Sequence, residues 1–175
     1  MHHGRHQQVF HLLSYSVSIT CHVEPEDLRK ELNTQFKEKF PSIELPLSKI
    51  QRTKQDLIEL GSQCALNVAT IAMTHLHFDR LVLQELVDKE NRKPIAAACL
   101  VLSFKFDASY KPSSTKEYLK ELFKAIDNKW ALDEEDILPY EMPVYAALKF
   151  QLHVPQEQLL TYISRVEARM PARPA

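Results

Sequence analysis

Apolar residues recur every three or four positions along most of the chain, which is the spacing of one face of an α-helix. The pattern predicts a helix over 24–40, five helices between 48 and 154, and a last helix from 156 to about 169. Residues 9–23 mix apolar and hydroxyl side chains and fit a short strand, a loop or an ordered arm. The predicted fold class is all-α, with no internal repeat.

Capping residues mark where several of these helices begin and end. Ser48 is the predicted N-cap of the first of the five helices, and Gly61 is predicted to close it. Asn67 or Cys64 begins the next helix. Two later pairs have the spacing of a capping box: Ser114 with Glu117, and Asp133 with Asp136.

The segment 93–106 reads KPIAAACLVLSFKF and is apolar on every helical face. A helix of this kind is buried, so we expect it to lie in the middle of the domain with the other helices around it. Its three consecutive alanines allow neighbouring helices to approach closely. Cys99 within it is interpreted as a small core residue rather than a nucleophile.

Composition argues against several classes of function. The 175 residues carry a net charge of −1, which gives no electrostatic footprint for nucleic acid or an anionic membrane. The apolar run 95–104 is about half the length of a membrane-spanning helix. Three widely spaced cysteines indicate reduced thiols, and we expect a nuclear or cytoplasmic location, or both.

The sequence contains no recognisable catalytic or metal-binding pattern. Only two glycines are present, which argues against phosphate-binding loops, and no hydrolase, metalloprotease or Ca²⁺-loop motif occurs. His75 and His77 are two positions apart on a predicted helix, so they point to different sides and do not easily share a metal. We therefore predict no enzyme activity, no catalytic residue, no metal and no cofactor.

Two charged residues stand in apolar surroundings. Lys105 follows the long apolar run of the central helix, and Glu141 lies within the apolar segment ILPYEMPVY. Charged residues within an apolar segment normally form an ion pair or lie at the edge of the buried region. Two interpretations remain open: the residues form an internal structural ion pair or snorkel to solvent, or both face a partner.

The segments around these two charges resemble parts of a known fold. AAACLVLSFKFDASYKP resembles the third helix of a cyclin box, and ILPYEMPVYAALKFQLHVP is similar to the fifth. Within that superfamily the chain resembles the Cables family over about residues 20–165. The stretches that carry this similarity are PEDLRKELNTQFKEKFP, LSKIQRTKQDL, DKENRKPIAAACLVLSFKF and YEMPVYAALKFQLHVPQEQ.

The helical pattern predicts an N-terminal arm at 1–23, a helix and connector at 24–47, a five-helix domain at 48–154, and a C-terminal helix and tail at 155–175, and the resemblance implies that the five-helix domain is a single cyclin box. The resemblance also implies a regulatory or adaptor protein that binds a cyclin-dependent kinase, with a non-receptor tyrosine kinase of the Abl type as a second partner. The implied kinase-binding residues are Lys105, Phe106, Glu141, Tyr145, Phe150 and Leu152.

The chain also departs from the cell-cycle cyclins. The Met-Arg-x-x-Leu docking patch of their first helix is absent from SKIQRTKQDLIEL, and a second box does not fit after residue 155. Two alternatives stay open. One is a helical interaction scaffold with no kinase partner, and the other is a cyclin box of the transcription-factor type that contacts nucleic acid.

Overall fold

The computed structural model describes residues 7–11, 16–20, 24–107 and 112–170, with side chains described in 24–107 and 115–170. A short antiparallel hairpin of β1 (Gln7–His11) and β2 (Ser16–Thr20) precedes the helices. The rest of the predicted arm, including Cys21, lies outside the described residues. The helices are α1 (Pro25–Lys39), α2 (Leu47–Gln63), α3 (Val68–Leu83), α4 (Arg92–Phe106), α5 (Pro112–Trp130), α6 (Glu134–Ala147) and α7 (Gln156–Glu167).

Helix α4 is the centre of the domain, as its sequence predicts. Every residue from 94 to 104 is buried, and the helix packs against α2, α3, α5 and α6. Its alanines are completely inaccessible to solvent, and so is Cys99, in agreement with a core role for that thiol. The all-α fold with five box helices, α2 to α6, is therefore confirmed, with α1 before them and α7 after them.

Two predicted helix boundaries are wrong. Helix α2 begins at Leu47 with Pro46 as its N-cap, so Ser48 lies inside the first turn, where its N–H donates to Asn33 Oδ1 at 2.9 Å. Gly61 does not close the helix, because α2 continues to Gln63.

The left-handed residue that ends α2 is Ala65, at φ 51°. The Leu66 N–H then donates to the Gly61 carbonyl at 2.8 Å. These features form a Schellman motif that has alanine at the position usually taken by glycine.

Gly61 is required for the close approach of α2 and α3. A Cβ at this position would lie 2.5 Å from Ile71 Cδ1 and 2.6 Å from Ile71 Cγ1. Ile71 is itself completely buried, so its core neighbours limit how far its side chain can move away. The glycine is therefore retained for packing rather than for backbone conformation.

We expect Gly61→Ala to lower the free energy of unfolding by up to about 2 kcal/mol, because overpacking costs about 1–3 kcal/mol and is only partly offset by the gain in helix propensity of about 1 kcal/mol. In an Ile71→Ala background the clash is absent, so Gly61→Ala should be stabilising by about 1 kcal/mol. Urea unfolding of the four proteins measures both values. The same change in both backgrounds would contradict this explanation of Gly61.

Side-chain caps fix the starts of α3 and α6. Asn67 is the N-cap of α3 and accepts from the Ala69 N–H at 3.2 Å. Asp133 and Asp136 form the predicted capping box, each carboxylate accepting from the other residue's N–H. The third predicted cap is wrong: Ser114 lies inside α5, which begins two residues earlier, and its side chain is outside the described part.

Candidate functional site

Lys105 and Glu141 meet at the surface where α4 packs against α6. Lys105 lies in the last turn of α4, and its Nζ donates to Glu141 Oε1 at 2.6 Å. A cation at this end of a helix is stabilised by the helix dipole. The Lys105 side chain is 39% exposed and that of Glu141 17%. The two charges are thus paired with each other and still accessible to a partner.

Large apolar side chains are exposed beside this ion pair. Phe106 directly follows Lys105 and is 45% exposed. Leu138 and Met142 stand one turn apart on α6, on either side of Glu141, and are 44% and 62% exposed. An exposed apolar group of this kind is typical of an interaction site. We refer to these residues together with Lys105, Glu141, Tyr145 and Phe150 as the Lys105–Glu141 surface.

The turn after α6 positions Phe150. Lys149 and Phe150 both have left-handed backbone conformations, at φ 56° and 57°, and the Phe150 N–H donates to the Tyr145 carbonyl at 3.0 Å. The turn places the Phe150 ring edge-on to the Tyr145 ring, with centroids 5.0 Å apart. Two consecutive non-glycine residues in this conformation are unfavourable, and the hydrogen bond and ring contact with Tyr145 offset part of that cost.

The predicted site residues therefore divide into two groups. Lys105, Phe106, Glu141 and Phe150 reach solvent, and Tyr145 is half-buried beneath Phe150. Leu152 is only 8% exposed and belongs to the main core cluster. Its place in the structure is therefore in the core rather than on the exposed surface.

Two exposed residues of this surface are absent from the sequence-based set. Leu138 and Met142 lie within a helix whose sequence is apolar nearly all round, and only Ile137 and Val144 of α6 are buried. Their spacing around Glu141, at three positions before and one after, was the available signal.

The buried histidines are structural. Burial lowers the pKa of His75 to about 3 and that of His77 to about 4, with the positive charges of Lys54 and Arg80 contributing respectively. His75 Nε2 lies 2.9 Å from the Lys54 carbonyl oxygen, and His77 Nδ1 lies 3.3 Å from Ser103 Oγ. Both rings are thus neutral core groups at physiological pH.

Within the described residues, no three His, Cys, Asp or Glu side chains come together in a way that could hold a metal ion. None of the helices that the structure describes is long and apolar enough to cross a membrane.

Comparison with known proteins is decisive for the family. The protein-family sequence model described as "Cyclin, N-terminal domain" matches residues 29–153, which is most of the chain. The chain belongs to the cyclin family. No solved structure matches it significantly.

Curated relatives extend this result. The chain is 34% identical to mouse "CDK5 and ABL1 enzyme substrate 2" and 35% identical to human "CDK5 and ABL1 enzyme substrate 1", over 93% of its own length in both cases. It covers 33% of the former and 25% of the latter. These are the Cables proteins, so the resemblance stated from the sequence is confirmed. The chain spans a quarter to a third of the relatives it matches.

Proposed function

We propose that this protein binds a cyclin-dependent kinase through the Lys105–Glu141 surface and acts as a cyclin-like regulator or adaptor without catalysis of its own. The observation that carries the proposal is an accessible ion pair set among exposed apolar side chains on a cyclin-family domain. An apolar centre with a few charged anchors is the usual composition of a protein–protein interface. The names of the relatives, which pair a cyclin-dependent kinase with a tyrosine kinase, support partners of these two classes.

The mechanism follows from what kinase activation requires. A protein kinase is active when its regulatory helix lies inward, so that the helix glutamate pairs with the lysine of the ATP site. A helical surface can impose that position by packing alone. In our proposal, Phe106, Met142 and Phe150 pack on the kinase. Lys105 and Glu141 then bind polar groups of the partner in place of part of their contact with each other.

The alternatives receive less support. A purely structural Lys105–Glu141 pair would be buried with no apolar surface beside it, whereas Lys105 is 39% exposed and Phe106 45%. A nucleic-acid-binding box would need a basic surface, and the net charge is −1.

Charge reversals test the proposed interface. In a pull-down against a panel of cyclin-dependent kinases, we expect Lys105→Glu and Glu141→Lys each to weaken binding at least tenfold, because each leaves like charges in contact and an unpaired charge at the interface. The double variant Lys105→Glu/Glu141→Lys restores an internal ion pair, but the positive and negative charges have changed places. It should fold normally and still fail to bind.

A second pair of variants isolates the apolar part of the surface. Met142→Asp should weaken kinase binding at least tenfold without loss of stability, since the side chain is 62% exposed. Leu160→Asp on α7 is the matched control, because Leu160 is 52% exposed and lies outside the surface. Binding that survives both charge reversals, or that is equally weakened by Leu160→Asp, would refute the interface.

A further inference from the structure

A concave site lies elsewhere on the domain, on helices that do not carry the Lys105–Glu141 surface. A cavity of about 440 Å³ is enclosed by α1, α2, α3 and α7. Its apolar lining comes from Phe36, Leu47, Ile50, Val82 and Leu83. Leu83 is 59% exposed, so this lining continues outward to solvent. The size and lining suit a bulky apolar side chain.

One wall of the cavity is a polar network that joins three helices. Lys54 Nζ donates to Asp79 Oδ2 at 2.6 Å, and the Tyr162 hydroxyl donates to the same oxygen at 2.9 Å. The Lys54 ammonium also lies 5.4 Å from the centre of the Tyr162 ring. Burial and the Asp79 charge raise the pKa of Tyr162 to about 12, so its hydroxyl stays protonated as a donor. The wall is therefore built before any ligand arrives.

Two arginines give the cavity an excess of positive charge. Arg165 and Arg169 line it, and the Arg165 guanidinium is held 5.5 Å from the centre of the Tyr162 ring. Lys54 already balances Asp79. Neither arginine has an ion-pair partner among the residues that the structure describes, and Arg169 is close enough that its charge lowers the pKa of the buried His75.

We propose that this cavity is a docking site for an acidic peptide segment of a partner protein. A bulky apolar side chain of the segment enters between Phe36, Ile50 and Leu83, and adjacent carboxylates accept hydrogen bonds from Arg165 and Arg169. Arginine suits this task because its planar guanidinium donates in a fixed geometry to carboxylates. The charge complementarity selects an acidic segment over a basic or neutral one.

Selection from a random peptide library displayed on phage tests this site. With the full chain as bait, we expect enrichment of sequences that combine one large apolar residue with two or more Asp or Glu residues. Fluorescence anisotropy of synthetic versions of the enriched peptides should show at least tenfold weaker binding to Arg165→Glu/Arg169→Glu than to the parent chain. The peptides should lose a similar amount of affinity for Leu83→Asp, which removes the apolar contact instead.

Arg29→Glu/Lys30→Glu is the matched control, because it makes the same change in charge on exposed residues of α1 outside the cavity. This variant should bind the peptides as the parent does. The proposal is overturned if no sequence is enriched, if the enriched peptides are not acidic, or if the control loses as much affinity. Self-association abolished by Arg165→Glu/Arg169→Glu would assign the cavity to a second copy instead. Lys105→Glu should leave peptide binding unchanged, which separates this test from that of the kinase interface.

Discussion

Lowering the pH from 7 to 5 is expected to reduce the free energy of unfolding by about 3–4 kcal/mol. The folded-state pKa values of His75 and His77, about 3 and about 4, lie below the ordinary value of 6.5. Below pH 6.5 the unfolded chain therefore binds more protons than the folded one. The contribution of these two histidines to the free energy of unfolding is fully present above about pH 7 and falls as the pH drops through 6.5. It stops falling only below their folded-state pKa values.

Urea unfolding at a series of pH values measures this effect, with the fluorescence of the single tryptophan as the signal. In His75→Gln the change between pH 7 and 5 should shrink to about 2 kcal/mol, because one of the two groups has been removed. The exposed His153 provides the control, and His153→Gln should retain the full change. A pH dependence that is the same in His75→Gln and the parent would contradict our assignment.

Trp130→Ala is expected to lower the free energy of unfolding by about 3–5 kcal/mol. Trp130 is the last residue of α5 and is 5% exposed, in the main core. Its Nε1–H donates to Asp56 Oδ2 at 3.2 Å, and this nearly buried carboxylate also pairs with Arg52 and Lys129 at 3.3 and 3.5 Å. The substitution would therefore leave a large cavity and remove a donor from Asp56.

Trp130→Phe separates these two contributions. It keeps most of the ring volume while it removes the donor, so we expect a smaller loss, of about 1–2 kcal/mol. Circular dichroism is the appropriate signal, since both variants lack tryptophan. Equal losses in the two variants would show that the hydrogen bond, rather than the packing, accounts for the effect.

The helical order of this fold was predictable from the sequence because each amphipathic segment has its own period and its own end signals. Asn67 and the Asp133–Asp136 pair act only on neighbouring backbone, and both cap as expected. Gly61 was misread because its role depends on Ile71 of another helix. A glycine near the end of a helix looks the same in the sequence whether it serves conformation or close approach.

The two candidate sites also differ in how far the sequence alone indicates them. Lys105 and Glu141 could be singled out because each is a charge in an apolar segment, although their pairing required the structure. The cavity beside Arg165 could not be predicted, because Lys54, Asp79 and Tyr162 are far apart in the chain. Leu138 and Met142 were missed because hydrophobic periodicity alone does not show which side of an apolar helix remains uncovered, although their spacing around the charged Glu141 indicates that side.

Helix α4 has no solvent face between residues 94 and 104, and this affects how the molecule opens. A helix packed on all sides cannot unfold locally, so its amides should exchange only when the whole domain unfolds. Lys105 and Phe106 directly extend this helix. A partner that docks on them would meet a backbone already held in place, so the association would lose little backbone entropy.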